Sequence, residues 1–208
     1  VMEEEATEDF ELMAAITPTD KPYLRTGVWE TVKSRIPWLM LLMLSATFTG
    51  IILTHFEKSL MACAILTSFI PMLSGTGGNS GTQASTAVIR ALSLGEVRFN
   101  DLFQVLWKEF WVSVCCGLCL AAANFVKMML VDRWLLQNPT VTPQVALVVC
   151  ATLVGTVLCA KLAGCSLPLL AKRVGFDPAV MASPFITTIV DAISLLIYFR
   201  FASAILGL

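Results

Sequence analysis

Three observations predict that this chain is an all-α, polytopic membrane protein. Of its 208 residues, 57% are hydrophobic and only 14% are charged, well below the roughly 25% charged residues of soluble domains. Mean hydropathy is +0.79. Apolar runs of membrane-spanning length recur along the chain, and the basic residues gather at alternate connections between them. The pattern reads as five spans. Residues 1–36 precede them as a cytoplasmic connecting segment, and residues 37–208 form the membrane domain.

The N-terminal segment is acidic, with Glu3, Glu4, Glu5, Glu8, Asp9, Glu11 and Asp20 all lying before the first apolar run. That excludes a secretory leader, which would be basic and then apolar. The absence of any strongly basic face excludes nucleic acid as a partner. Residues 3–17 have amphipathic helical spacing: Ala6, Phe10 and Met13 share one face, Glu4, Glu8 and Glu11 another. Phe10 and Met13 call for a surface to pack on. A chain that opens on Val and an acidic helix reads as a piece of a longer protein. Thr17-Pro-Thr-Asp-Lys-Pro22 breaks this helix, and a short helix with Lys33 and Arg35 leads to Pro37, acceptable in a first helical turn. The first span is then 37–54, followed by a turn at His55-Phe-Glu-Lys58.

The second span carries the most information. Ser59 to Ile89 is free of charge, and as one helix would be about 45 Å long against a hydrocarbon core of roughly 30 Å. Its middle holds Pro71, Gly75, Gly77, Gly78 and Gly81 among hydroxyls and amides. Proline and glycine weaken the hydrogen-bond ladder, so the segment reads as a kinked or interrupted helix beside a polar path. Close helix packing through the Gly77-x-x-x-Gly81 step accounts for the glycines. It does not account for Asn79 and Gln83, which point to a conduction path.

The third span covers 102–130, a loop with Trp134 as an interfacial anchor covers 132–143, and the fourth span covers 145–170 with a lone Lys161. Lys172 to Pro178 reads as a turn, and the fifth span covers 179–206. Lys21, Arg25, Lys33, Arg35, Arg90, Arg98, Lys108, Lys172 and Arg173 fall on one side of this topology. The positive-inside rule makes that side cytoplasmic, with the N-terminus inside and the C-terminus outside.

Asp191 is the only acid deep within a span, and an intramembrane carboxylate is expensive enough to mark a site. Ser183, Thr187 and Asp191 recur every four residues as one polar stripe. A structural ion pair is the competing role. Arg200 is about 13 Å along the same helix, too far for contact, whereas Lys161 on a neighbouring helix could reach. A carboxylate among hydroxyls and carbonyls suits a hard cation, Mg²⁺ or Ca²⁺. One Asp per chain is thin for a divalent ion, and two chains on a two-fold axis would supply two. The seven cysteines lie in apolar runs. Cys116-Gly-Leu-Cys119 has no second ligand pair, so the thiols read as small apolar groups.

Pro71-x-x-x-Gly-x-Gly-Gly-Asn-x-Gly-x-Gln83, followed by Arg90-Ala-Leu-x-x-Gly-Glu96, resembles the second transmembrane helix of MgtE-type magnesium channels. Asp177-Pro178, Pro184-x-x-x-Thr188-x-x-Asp191 and Tyr198-Phe199 are similar to their fifth helix, and Glu3 to Asp9 with Arg35-x-Pro-Trp38 to the segment before the first. The resemblance implies a homodimer of five-helix subunits in the inner cell membrane, with a Mg²⁺-selective pore on the dimer axis. In that scheme a pair of Asp191 carboxylates holds hydrated Mg²⁺, helped by backbone oxygens near Gly78, Gly81 and Thr187. Asn79 and Ser194 belong to the pore, and Ser183 and Val180 to the cytoplasmic gate. Glu4, Glu8 and Glu11 lie on a gating helix that works with a cytosolic sensory domain of the same protein. Mg²⁺ is cargo and ligand, and no catalytic role is expected.

Two other classes compete. Broken helices and midplane carboxylates also suit an ion-coupled secondary transporter of divalent cations. Gly78-Asn-Ser80-Gly81 fits the nucleophile motif of an intramembrane serine protease. That chemistry needs a base beside Ser80, and the only histidine, His55, belongs to a distant turn.

Overall fold

The computed structural model describes residues 2–19, 21–57, 61, 63–181 and 183–207, and the side chains of all these except 2–6, 181 and 183. Asp20, Lys58 and Ser59 therefore lie outside the described residues, as do the side chains of Glu3, Glu4, Glu5, Ala6 and Ser183. The described residues form helices and connections, with no strand among them. In chain order the helices are α1 (Met2–Met13), α2 (Val28–His55), α3 (Ile70–Ser93), α4 (Leu102–Lys127), α5 (Pro143–Val174) and α6 (Ser183–Leu206). Helix α4 runs on into a π-helical stretch, Met128–Leu135. A 3₁₀ stretch, Ala64–Phe69, leads into α3, and another, Pro178–Met181, precedes α6.

Four segments are long and apolar enough to cross a membrane: Val28–His55, Phe99–Leu135, Pro143–Val174 and Pro184–Leu206. Helix α3 is not among them. At 24 residues it is about 36 Å long, but its hydroxyls, amides and glycines dilute the apolar content. The chain is thus a multi-pass membrane protein.

Helix α5 is the hub and the most buried of these four segments. Helices α3, α4 and α6 pack on it, and α3 also packs on α6. Helices α3 and α4 hardly touch one another, which leaves a groove between them floored by α5. Helix α2 lies against α6 and has no buried residue. The Thr142 hydroxyl caps α5 by accepting from the Val145 N–H at 3.2 Å, with Pro143 in the first turn. Gly175, at φ +87°, closes the other end, a left-handed conformation that glycine adopts without a Cβ penalty. Lys172 and Arg173 are in the last turn of α5, where cations are favoured by the helix dipole, rather than in the turn expected for them.

Two further expectations are corrected. The second span does not break at its glycines: α3 is one α-helix from Ile70 to Ser93. Pro71 sits in its first turn, where a missing N–H costs nothing, and the irregular backbone lies before it in Ala64–Phe69. Pro37 in turn does not open the first span but lies inside α2, which starts at Val28. The Glu30 carboxylate accepts from the Gly27 N–H at 3.3 Å and pairs with Lys21 at 2.6 Å, so the helix start is secured upstream of the proline.

Apolar packing is divided along the bundle. Leu66, Phe69, Leu73, Val145, Val149, Leu153 and Tyr198 form one cluster. Val88, Leu92, Cys165 and Leu169 form another at the opposite end of α3 and α5. Between them Ala160, Ile186 and Val190 join the helices that carry the site. The Tyr198 hydroxyl donates to the Leu66 carbonyl at 2.9 Å, giving a buried polar group a partner and tying α6 to the 3₁₀ stretch.

Candidate functional site: the junction of α3, α5 and α6

Glycines set the spacing of this junction. A Cβ on Gly77 would stand 2.6 Å from the Thr156 methyl and 2.7 Å from Val190. On Gly78 it would stand 2.9 Å from the Thr187 methyl, and on Gly81 2.6 Å from Ile186. On Gly164 it would run into the Gly81 carbonyl. Gly77 and Gly81 therefore let α3 lie directly on α5 and α6, as small residues do between membrane helices. Gly75, on another face, has open space around it. The register is parallel for α3 and α5, since Gly77 meets Thr156 and Gly81 meets Ala160. It is antiparallel for α3 and α6, where Gly77 meets Ser194 and Gly81 meets Ile186.

That register brings Ser74 of α3 to Asp191 of α6. Asp191 is half-buried, and the Ser74 hydroxyl is its hydrogen-bond partner. One donated hydrogen bond restrains the carboxylate and leaves the rest of its four or so lone-pair positions open to water or a cation. Neither Lys161 nor Arg200 pairs with Asp191; among the described residues the ion pairs are Lys21–Glu30 and Lys127–Asp132. Ser74 was not singled out from the sequence, although it stands three and four residues before Gly77 and Gly78, on the same helical face.

The other expected residues are not gathered at Asp191. The Thr187 hydroxyl donates to the Pro184 carbonyl at 2.9 Å, and its methyl faces Gly78. Ser194 is 1% exposed, donates to the Val190 carbonyl at 2.6 Å, and sits inside the subunit against Gly77. Asn79 is exposed and lines the groove between α3 and α4 together with Thr76, Ser80, Gln83 and Lys161. Val180 is half-buried in the 3₁₀ stretch Pro178–Met181, beside which α1 lies. On α1, Glu8 is exposed, whereas Glu11 accepts from the Thr19 N–H at 2.9 Å. Phe10 is 73% exposed, whereas Met13, expected on the same face, is half-buried. His55 ends α2, and its neighbour Phe56 stacks on Phe199; Ser80 has no imidazole beside it.

Residues 70–201 match the MgtE family, described as a divalent cation transporter. A protein of Thermus thermophilus named magnesium transporter MgtE is 36% identical over 207 residues, 99% of this chain and 44% of that protein. Proteins of the same name from Bacillus subtilis and Enterococcus faecalis are 34% and 29% identical, over 96% and 98% of this chain. The chain spans less than half the length of each of these relatives. On these matches the chain belongs to the MgtE family, whose members are divalent cation transporters rather than enzymes.

Proposed function

We propose that this chain forms the membrane pore of a Mg²⁺ transporter, in which two copies pair so that their Asp191 carboxylates face across a two-fold axis. The observation that carries this reading is the placement of Asp191: half-buried and held by Ser74 beside the Gly78–Thr187 contact. Mg²⁺ gives up its water reluctantly, so two carboxylates would hold the hydrated ion through water-bridged oxygens rather than by direct ligation. Two opposed carboxylates also balance a divalent charge that one could not. The relatives' names supply the ion. Helix α3, second in order, brings the number of spans to five, with the N-terminus cytoplasmic and the C-terminus outside. Helix α1, which carries Glu8 and Glu11, lies beside the 3₁₀ stretch that carries Val180, and there bound Mg²⁺ would relieve carboxylate repulsion and hold α1 at the mouth of the pore.

Asp191→Asn tests the reading. Reconstituted protein should lose most Mg²⁺ flux and its divalent binding while dimer assembly persists; near-normal flux in the variant would refute the assignment. Single-channel current separates a channel from an ion-coupled carrier, because carrier turnover is too slow to register as discrete openings.

A further inference from the structure

The groove between α3 and α4 contains a feature that the pore does not use. Lys161 of α5 is 6% exposed and lines an open pocket of about 420 Å³ in this groove with Thr76, Asn79, Ser80 and Gln83 of α3 and Cys116 of α4; Asn79 and Gln83 are exposed at its rim. No hydrogen bond or ion pair joins its ammonium to any described residue. Asp191, the acid that could have neutralised it, is bonded to Ser74 instead. Glu109 is the other nearby acid. Glu109 and Lys161 both lie within electrostatic reach of Cys165, but Glu109 does not line the pocket and its buried Oε2 has no partner among the described residues.

An ammonium that faces a groove within the bilayer, with no counter-charge bonded to it, is costly. Lys161 is about 27 Å from one end of α5 and about 20 Å from the other, too deep for a lipid headgroup to reach it. The pocket wall offers the ammonium, two side-chain amides and two hydroxyls, all able to donate, and no carboxylate. Such a wall repels cations and suits an anion. We propose that this pocket is a binding site for a small inorganic anion of the halide class, held by the Lys161 ammonium with the Asn79 and Gln83 amides. The anion neutralises Lys161 and fastens the groove face of α3, the helix whose other faces carry Ser74 and Gly78 at the Asp191 site.

The test is the thermal stability of the purified full chain in detergent micelles, at fixed ionic strength and fixed Mg²⁺, as sodium gluconate is replaced by sodium chloride or bromide. Either halide should give a saturable rise of about 4 °C at ten times its half-saturating concentration. The difference between anions should vanish in Lys161→Met and survive in Lys161→Arg and Glu109→Gln. Because the readout is a difference within one variant, a less stable variant still reports. If Lys161→Met does not fold, Asn79→Leu with Gln83→Leu should raise the half-saturating concentration at least tenfold. No halide-specific shift in the parent chain, or an undiminished shift in Lys161→Met or in the double leucine variant, overturns the proposal. A shift that emerges only in Glu109→Gln would make Glu109 the counter-charge and overturn it equally.

Discussion

The Ser74 hydroxyl on α3 hydrogen-bonds the Asp191 carboxylate on α6, so this intramembrane acid is restrained from a neighbouring helix. The bond joins the two segments whose motifs carry the family likeness, and it exists because Gly77 and Gly78 let those helices meet one turn away. The bond takes up one of the carboxylate's lone-pair positions and leaves the others open, so it orients the group without using it up.

Ser74→Ala should therefore lower Mg²⁺ flux by about tenfold, the worth of a hydrogen bond to a charged group at its lower end. Asp191→Asn should cost far more. Flux assays of both variants in liposomes, with dimer content checked by cross-linking, distinguish orientation from ligation; equal losses would show that Ser74 contributes more than orientation.

The glycines of α3 should differ sharply from one another. Gly75→Ala meets open space and should be neutral or stabilising by about 0.5–1 kcal/mol, because alanine restricts the unfolded chain. Gly77→Ala and Gly81→Ala overpack side chains of α5 and α6 and should destabilise by about 1–3 kcal/mol. Gly164→Ala should be the worst of the series, since the atoms it meets are the Gly81 backbone, which has no rotamer to change. Thermal unfolding of the four variants in one detergent checks the order.

Thr156 presents a hydroxyl where none is served. Its Oγ1 is buried with no partner among the described residues, while its methyl packs over Gly77. Thr156→Val keeps the shape and removes the orphaned polar atom, so the variant should be as stable as the parent or more stable by about 1 kcal/mol. A loss of stability would show that the hydroxyl has a partner such as bound water.

Tyr198→Phe tests the opposite case. The hydroxyl it removes is the partner of the Leu66 carbonyl, at 2.9 Å in a buried setting. A cost of about 1–2 kcal/mol is expected, with faster hydrogen exchange concentrated in Ala64–Phe69. Uniform destabilisation without local exchange would mean that the ring, not the hydroxyl, secures that segment.

Much of this protein was settled by the order of its residues alone. Low charge, long apolar runs and alternating basic loops determine a multi-pass helical membrane protein. The isolation of Asp191 among apolar neighbours marks it as the residue to examine, and the spacing from Pro71 to Gln83 and from Pro184 to Asp191 points to the family. All of these are local or compositional properties, readable along a single chain. What the tertiary structure decided is which faces meet. A run with one proline and four glycines is equally consistent with a broken helix and with a continuous helix pressed against its neighbours. The choice fell to packing, because Thr156, Ile186 and Gly164 stand where a Cβ would have to go. Helical rotation likewise placed Ser74 rather than Asn79 beside Asp191, and sent Lys161 to the far side of α3 with Asn79 and Gln83. A helix advances about 100° per residue, so small differences in rotation and register decide between two partners on one helix, and nothing along the chain records how far its neighbour has turned.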